Sequence, residues 1–274
     1  MGQRHPFIEA LGGPGEIDAT LHISHRGGAA LAPENTLVAF DNAVDVYGTD
    51  MLELDTQASA DGVLVVAHDA SVDRCTNGTG LVSELNWSEL CGLDAAYAFG
   101  AEQGFPYRGR GVRLPRLEHV LERFPHTRLN IELKTGDASV ARQLVETLRR
   151  FDALKRSCIG SEDDALATLI YEAAPEACHF YPAGALAALV VALKTGQTPP
   201  PEDRFSVLDM PFLWQGQRLI DQDLLQRVAE RGQWVNAWTV DDEAEMRYLV
   251  EAGVGGVMTD RPDRLRVVLS SARK

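Results

Sequence analysis

The 274-residue chain is short of the signals that mark several protein classes. It holds four cysteines, Cys75, Cys91, Cys158 and Cys178, with no CxxC pair and no histidine at ligand spacing. Neither a disulfide framework nor a zinc site is expected, and the thiols read as reduced and mostly buried. Long apolar runs are missing. The longest, Ala185 to Leu193, is far shorter than the roughly 20 residues that span a bilayer, and between Gly184 and Lys194 it reads as a buried helix. Met1 to Ala19 carries no apolar stretch of signal-peptide type, so neither a leader nor an anchor is expected there, and a cytoplasmic location follows. Basic residues are scarce too: 26 Lys+Arg stand against 40 Asp+Glu, a formal charge of −14. That balance disfavours nucleic acid and anionic membrane surfaces as partners. A small anionic substrate stays open, because a local Arg/Lys pocket overrides the global field.

What the chain does have is alternation. Short β-rich runs begin near residues 21, 51, 128, 157, 177, 205, 234 and 256, each followed by a helical run. Asn35 to Tyr47, Ala138 to Phe151, Asp163 to Ala174 and Asp242 to Ala252 are the clearest helices, and Asn35 reads as an N-cap behind Pro33. A further run, Val63–His68, follows Met51–Thr56 after only a short Ala60-Asp61-Gly62 turn. That link is too short for a parallel crossover and predicts a hairpin arm outside the parallel count. Residues 70–112 lack periodicity and read as an inserted subdomain. Eight strand–helix units predict one domain over residues 1–274, an α/β (β/α)₈ TIM barrel with a small insertion after its second strand.

Chemistry in such a barrel belongs to the C-terminal strand ends. These read His25-Arg26, Glu53 with Asp55, Glu132 with Lys134, and Trp238, while His68 ends the hairpin arm. Residues two apart share one face of a strand, so Glu53 and Asp55 point together, as do Glu132 and Lys134. Three carboxylates on the interior face need compensation. An all-oxygen set without cysteine suits a hard divalent cation, Mg²⁺ or Ca²⁺, at Glu53, Asp55 and Glu132; pairing with Arg26 and Lys134 alone is the alternative. His25 and His68, reaching one mouth from separate elements, suit acid–base work at a phosphate ester, with Arg26 and Lys134 on the anionic oxygens. His22, His119, His126 and His179 read as structural.

The ordered set His25-Arg26-Gly27, Pro33-Glu34-Asn35-Thr36, Glu53-Leu54-Asp55, Asp61-Gly62, His68-Asp69, Arg74-Cys75-Thr76, Asn130 to Lys134, Ala237 to Val240 and Thr259 to Pro262 resembles the glycerophosphodiester phosphodiesterases. It covers residues 21–262 in that family's order. The resemblance implies a barrel with an insertion after the second strand and the same residue roles. It also implies hydrolysis of a glycerophosphodiester, such as glycerophosphocholine or glycerophosphoethanolamine, to sn-glycerol 3-phosphate and an alcohol. Trp238 is then a wall against the glycerol or a plain core aromatic. Glu34 is a candidate to orient Arg26 or a histidine, Asp69 a brace for the turn after His68, and Thr76, Gly78 and Gly80 insertion structure.

Two departures bear on specificity. Glu162 and Asp163 stand where the family often carries Ser-Phe, and Asp241 replaces a common Asn, so an acidic rim favouring a cationic alcohol is expected. Whether water or the glycerol 2-hydroxyl attacks phosphorus stays open. The nearest rival is a lysophospholipase D on the same barrel, which needs an apolar channel. A glycoside hydrolase does not call for two histidines and two cations. A non-catalytic barrel would be expected to lack one of these groups.

Overall fold

Apolar β-branched runs supply a parallel barrel. A computed structural model describes residues 4–11 and 20–272. The barrel strands are β1 (Leu21–Ser24), β2 (Met51–Ala58), β4 (Arg128–Leu133), β5 (Ser157–Gly160), β6 (Cys178–His179), β7 (Val207–Pro211), β10 (Trp234–Trp238) and β11 (Gly256–Thr259). Their spatial order is β6-β5-β4-β2-β1-β11-β10-β7, and a parallel bridge from Phe180 to Val207 brings the ends together. Every strand pairing along this path is parallel, and the eight expected strands are all present. The hairpin arm β3 (Leu64–Val66) pairs antiparallel with β2, Thr56 opposite Val66. A second small hairpin, β8 (Leu213–Trp214) with β9 (Gln217–Arg218), follows β7.

Helices cover the barrel: α2 (Leu37–Asp41), α4 (Leu117–Arg123), α5 (Ala138–Arg150), α6 (Asp164–Ala173), α7 (Ala183–Thr195), α8 (Gln222–Glu230), α9 (Glu243–Ala252) and α10 (Pro262–Ala272). Asp137, Asp163, Asp221 and Asp242 cap α5, α6, α8 and α9 by accepting first-turn backbone N–H groups. The short α1 (Pro6–Glu9) buries Phe7 and Ile8 against Leu21, Met51 and Trp234, closing the barrel where its strands begin. The insertion holds α3 (Trp87–Leu90) and a core of its own, in which Val72, Val82, Leu90, Ala96, Val112 and Leu114 are buried together.

A boundary differs from expectation. The helix expected from Asn35 starts at Leu37, because Thr36, not Asn35, is the cap: its hydroxyl accepts from Ala39 N at 3.3 Å. Asn35 sits at φ +56° and turns its amide elsewhere. Barrel closure also depends on close approach at Gly255, where an added Cβ would stand against the Trp234 indole. Gly255→Ala is expected to cost about 1–3 kcal/mol by overpacking, visible as a lowered unfolding midpoint with activity per folded molecule unchanged.

Candidate active site

The site begins where β1 stops. Ser24 ends the strand, and Arg26, Gly27 and Gly28 take φ of +50°, +83° and +95°, turning the chain sharply over the barrel mouth. Gly27 is required twice over: its φ is left-handed, and a Cβ would press on Ala39 and Phe40. The turn aims the Arg26 backbone N–H at Glu53 Oε2, 2.8 Å away. The Arg26 guanidinium donates from Nη1 to Glu34 Oε1 at 3.0 Å, and its Nε lies 3.4 Å from Asp55 Oδ2. Glu34 therefore does orient Arg26.

Register explains the carboxylates. Asp55 on β2 is the direct neighbour of Glu132 on β4, with Glu53 one layer below it beside Asn130. Asp55, 1% exposed, accepts from Asn35 Nδ2 at 2.8 Å and lies 3.1 Å from Lys134 Nζ. Lys134 also donates to Glu132 Oε2 at 2.8 Å. Asn35, expected as a helix cap, is thus a buried brace for Asp55; its left-handed φ carried no signal that sequence reading used. Burial raises the pKa of Glu53, with Asp55 adding to the effect, and burial lifts Glu132 to about 7 despite Lys134. Burial opposes the charge on Lys134, yet Asp55 and Glu132 outweigh it and push it up to about 12.

Each expected histidine leans on a carboxylate. His25 Nδ1 donates to Asp260 Oδ1 at 2.7 Å, and its Nε2 lies 4.0 Å from Glu53. Burial works against its protonation, but Glu53 and Asp260 prevail and raise its pKa. His68 Nδ1 donates to Asp69 Oδ1, also at 2.7 Å. Asp69 is held low, at about 2, chiefly by hydrogen bonds from Arg74 and also by His68. A carboxylate on one ring nitrogen fixes the tautomer and leaves the other free for proton transfer.

His25, Arg26, Glu53, Asp55, His68, Glu132, Lys134 and Trp238 line one cavity of about 580 Å³. Its opposite wall is apolar, made by Leu186, Ala187 and Val190 of α7 with Trp214 and Leu219. The three carboxylates do not stand as a ready cage. Among the described residues no group of three His, Cys, Asp or Glu has metal-holding spacing, and Lys134 pairs with both Asp55 and Glu132.

The rim departs from expectation. Glu162 lines the cavity, but Asp163 caps α6 and Asp241 turns inward. Asp241 Oδ1 accepts from Thr259 Oγ1 at 2.8 Å and from Asp260 N at 2.9 Å. It positions the partner of His25 and contributes nothing to an acidic rim. Asp260 and Arg74 stood in the family-like motifs with no role of their own, and Asp241 was expected on the rim, because the contacts that define them join β11 to β1 and β10 and the insertion to the barrel mouth.

The model of the glycerophosphoryl diester phosphodiesterase family matches residues 25–264. The chain belongs to this family. Members of the family are phosphoric diester hydrolases, and the chain is an enzyme of that class. It is 32% identical over 253 residues to a glycerophosphodiester phosphodiesterase of Caldanaerobacter subterraneus, covering 90% of this chain and 96% of the relative. It is 29% identical over 275 residues to mouse lysophospholipase D GDPD1, covering 91% and 86%. The crystal structure of an Agrobacterium tumefaciens glycerophosphodiester phosphodiesterase superposes with TM-score 0.74 at 27% identity, covering 90% of this chain and 99% of that one. The fold of that structure agrees with the barrel. No helix among the described residues is long and apolar enough to cross a membrane.

Proposed function

We propose that the enzyme hydrolyses glycerophosphodiesters, such as glycerophosphocholine or glycerophosphoethanolamine, to sn-glycerol 3-phosphate and an alcohol. The observation that carries this reading is the pair of carboxylate-braced histidines, His25 with Asp260 and His68 with Asp69, lining the cavity that also holds Arg26 and Lys134. Displacement at a phosphodiester needs a proton taken from the attacking oxygen and one given to the leaving oxygen. The two imidazoles supply that pair. Arg26 and Lys134 are fixed cations for the non-bridging oxygens, where charge accumulates. Trp238 offers an aromatic wall to the glycerol.

Glu53, Asp55 and Glu132 would hold one divalent cation. The donor set fits. Three largely buried carboxylates face two fixed cations, Arg26 is shared with Glu34, and burial drives Glu53 and Glu132 toward neutrality. That is the signature of a site short of positive charge, and its oxygen donors suit Mg²⁺ or Ca²⁺. Such an ion supplies charge stabilisation and acidifies an oxygen bound to it.

A second reading, cleavage of single-chain lysophospholipids, is favoured by the apolar α7 wall, a surface that a water-soluble diester does not require. Competition assays between glycerophosphocholine and lysophosphatidylcholine separate the two. If the wall seats an acyl chain, Val191→Asp, at an exposed position lining the same cavity, is expected to raise KM for the lipid at least tenfold and leave that for glycerophosphocholine within twofold. Equal effects on both substrates would remove the lipid reading.

A further inference from the structure

We propose that Arg74, carried by the insertion, is a positioning residue that locks His68 and Arg26 into one arrangement. The inference rests on the proposed function and deepens it.

The geometry is that of one planar fork gripping two carboxylates. Arg74 Nε donates to Asp69 Oδ2 at 2.6 Å and Nη2 to Asp69 Oδ1 at 3.1 Å. On the other side Nη1 donates to Glu34 Oε2 at 2.7 Å and Nη2 to Glu34 Oε1 at 2.8 Å. Asp69 in turn holds His68, and Glu34 holds Arg26. The chain His68–Asp69–Arg74–Glu34–Arg26 therefore joins an acid–base group to a phosphate-binding group without any direct contact between them. An isolated exposed ion pair adds little, but two bidentate grips fix orientation in a way that a point charge does not.

Arg74 is not a free surface side chain. It sits on a tight turn whose two ends are tied down. Val72 is buried in the insertion's core and bonded to Gly80 O at 3.0 Å, while Thr76, also buried, bonds back to Val72 O through both N–H and hydroxyl. The insertion's separate core therefore delivers the guanidinium to the mouth. That gives residues 70–112 a task in the reaction beyond covering the β2–β3 hairpin.

The test compares Arg74→Gln, Arg74→Lys and Arg74→Ala with the wild type in a coupled glycerol 3-phosphate assay on glycerophosphocholine. Alongside it runs ¹⁵N NMR of the His68 imidazole, which reads the tautomer without substrate. For Arg74→Gln the expected result is a kcat lower by roughly 10²-fold, the scale of losing an oriented acid–base group. KM is expected to change less than threefold, and the single Nδ1–H tautomer of His68 to give way to a mixture. Arg74→Lys is expected to recover only part of the loss, and added guanidinium to rescue Arg74→Ala. An unchanged His68 signal together with unchanged kcat, or a loss that only tracks a lowered unfolding midpoint and resists guanidinium, overturns the proposal. A wild type inactive on every glycerophosphodiester would instead overturn the substrate reading, and the NMR comparison would still decide the role of Arg74.

Discussion

His25→Ala is expected to lower kcat on glycerophosphocholine by roughly 10²–10⁴-fold, the range that a positioned acid or base contributes. The fold should survive. His25 lies in the turn beyond β1, outside the barrel's hydrogen-bonded ladder, and its ring hydrogen-bonds to Asp260. His68→Ala is expected to act on the same scale, because the proposed mechanism gives the two imidazoles opposite proton transfers of one displacement. The double variant should then lose little more than either single, since groups that work as a unit are strongly non-additive. Coupled product assays with circular dichroism on the same samples measure both points. A His25→Ala enzyme within tenfold of wild type would show that some other group moves the proton. Asp260→Asn is a milder probe, expected to lower kcat by a smaller factor because it disturbs the tautomer and leaves the ring in place.

The second large effect concerns the carboxylates. Exhaustive chelation by EDTA is expected to stop hydrolysis, with Mg²⁺ or Ca²⁺ restoring it. The same ion should stabilise the folded chain by about 2.7 kcal/mol at 100 times its Kd, since only the folded barrel brings Glu53, Asp55 and Glu132 together. Thermal unfolding with and without the ion reads this independently of turnover. Glu53→Gln is expected to remove most of that shift. Its buried carboxyl accepts the Arg26 N–H through one oxygen, and an amide keeps that bond while losing the charge. Lys134 adds a specific expectation. Its ammonium lies between Asp55 and Glu132, so an ion held by those carboxylates would stand against its positive charge. Lys134→Met is therefore expected to bind the ion more tightly and still turn over slowly, because the substrate phosphate has lost a cation. Full activity after chelation, or no thermal shift with either ion, would return these carboxylates to the alternative of pairing with Arg26 and Lys134 alone.

The acidity of the chain acquires a local meaning from the site. The −14 formal charge disfavours anionic partners in general. At the mouth, Arg26, Lys134 and Arg74 stand against Glu34, Glu53, Asp55, Asp69 and Glu132, so a bound divalent ion would bring the local formal charge to neutrality while the rest of the chain stays acidic. The same reasoning sets Asp241 apart. It adds to the formal charge, yet one oxygen is engaged by Thr259 and Asp260 and the residue stands outside the cavity lining.

By itself the sequence determined the barrel and the hairpin, and it pointed to the polar side chains that line the cavity. Period-2 and period-3.6 patterning are local, and so is the two-residue spacing that puts Glu53 with Asp55 and Glu132 with Lys134 on shared strand faces. The histidines were legible because polar groups at strand ends conflict with a barrel core. Tertiary structure alone decided how those residues are held. Asp260 reaches His25 across the β1–β11 pairing, and Asp241 supports it from beyond β10. Arg74 joins two carboxylates far apart in the chain, and Asn35 leaves its expected cap for Asp55 because its left-handed backbone aims the amide inward. Such contacts depend on strand register and on single turns, which no periodicity encodes. The apolar α7 wall belongs with them: its sequence is apolar nearly all round, and only the packed barrel decides which side faces the cavity.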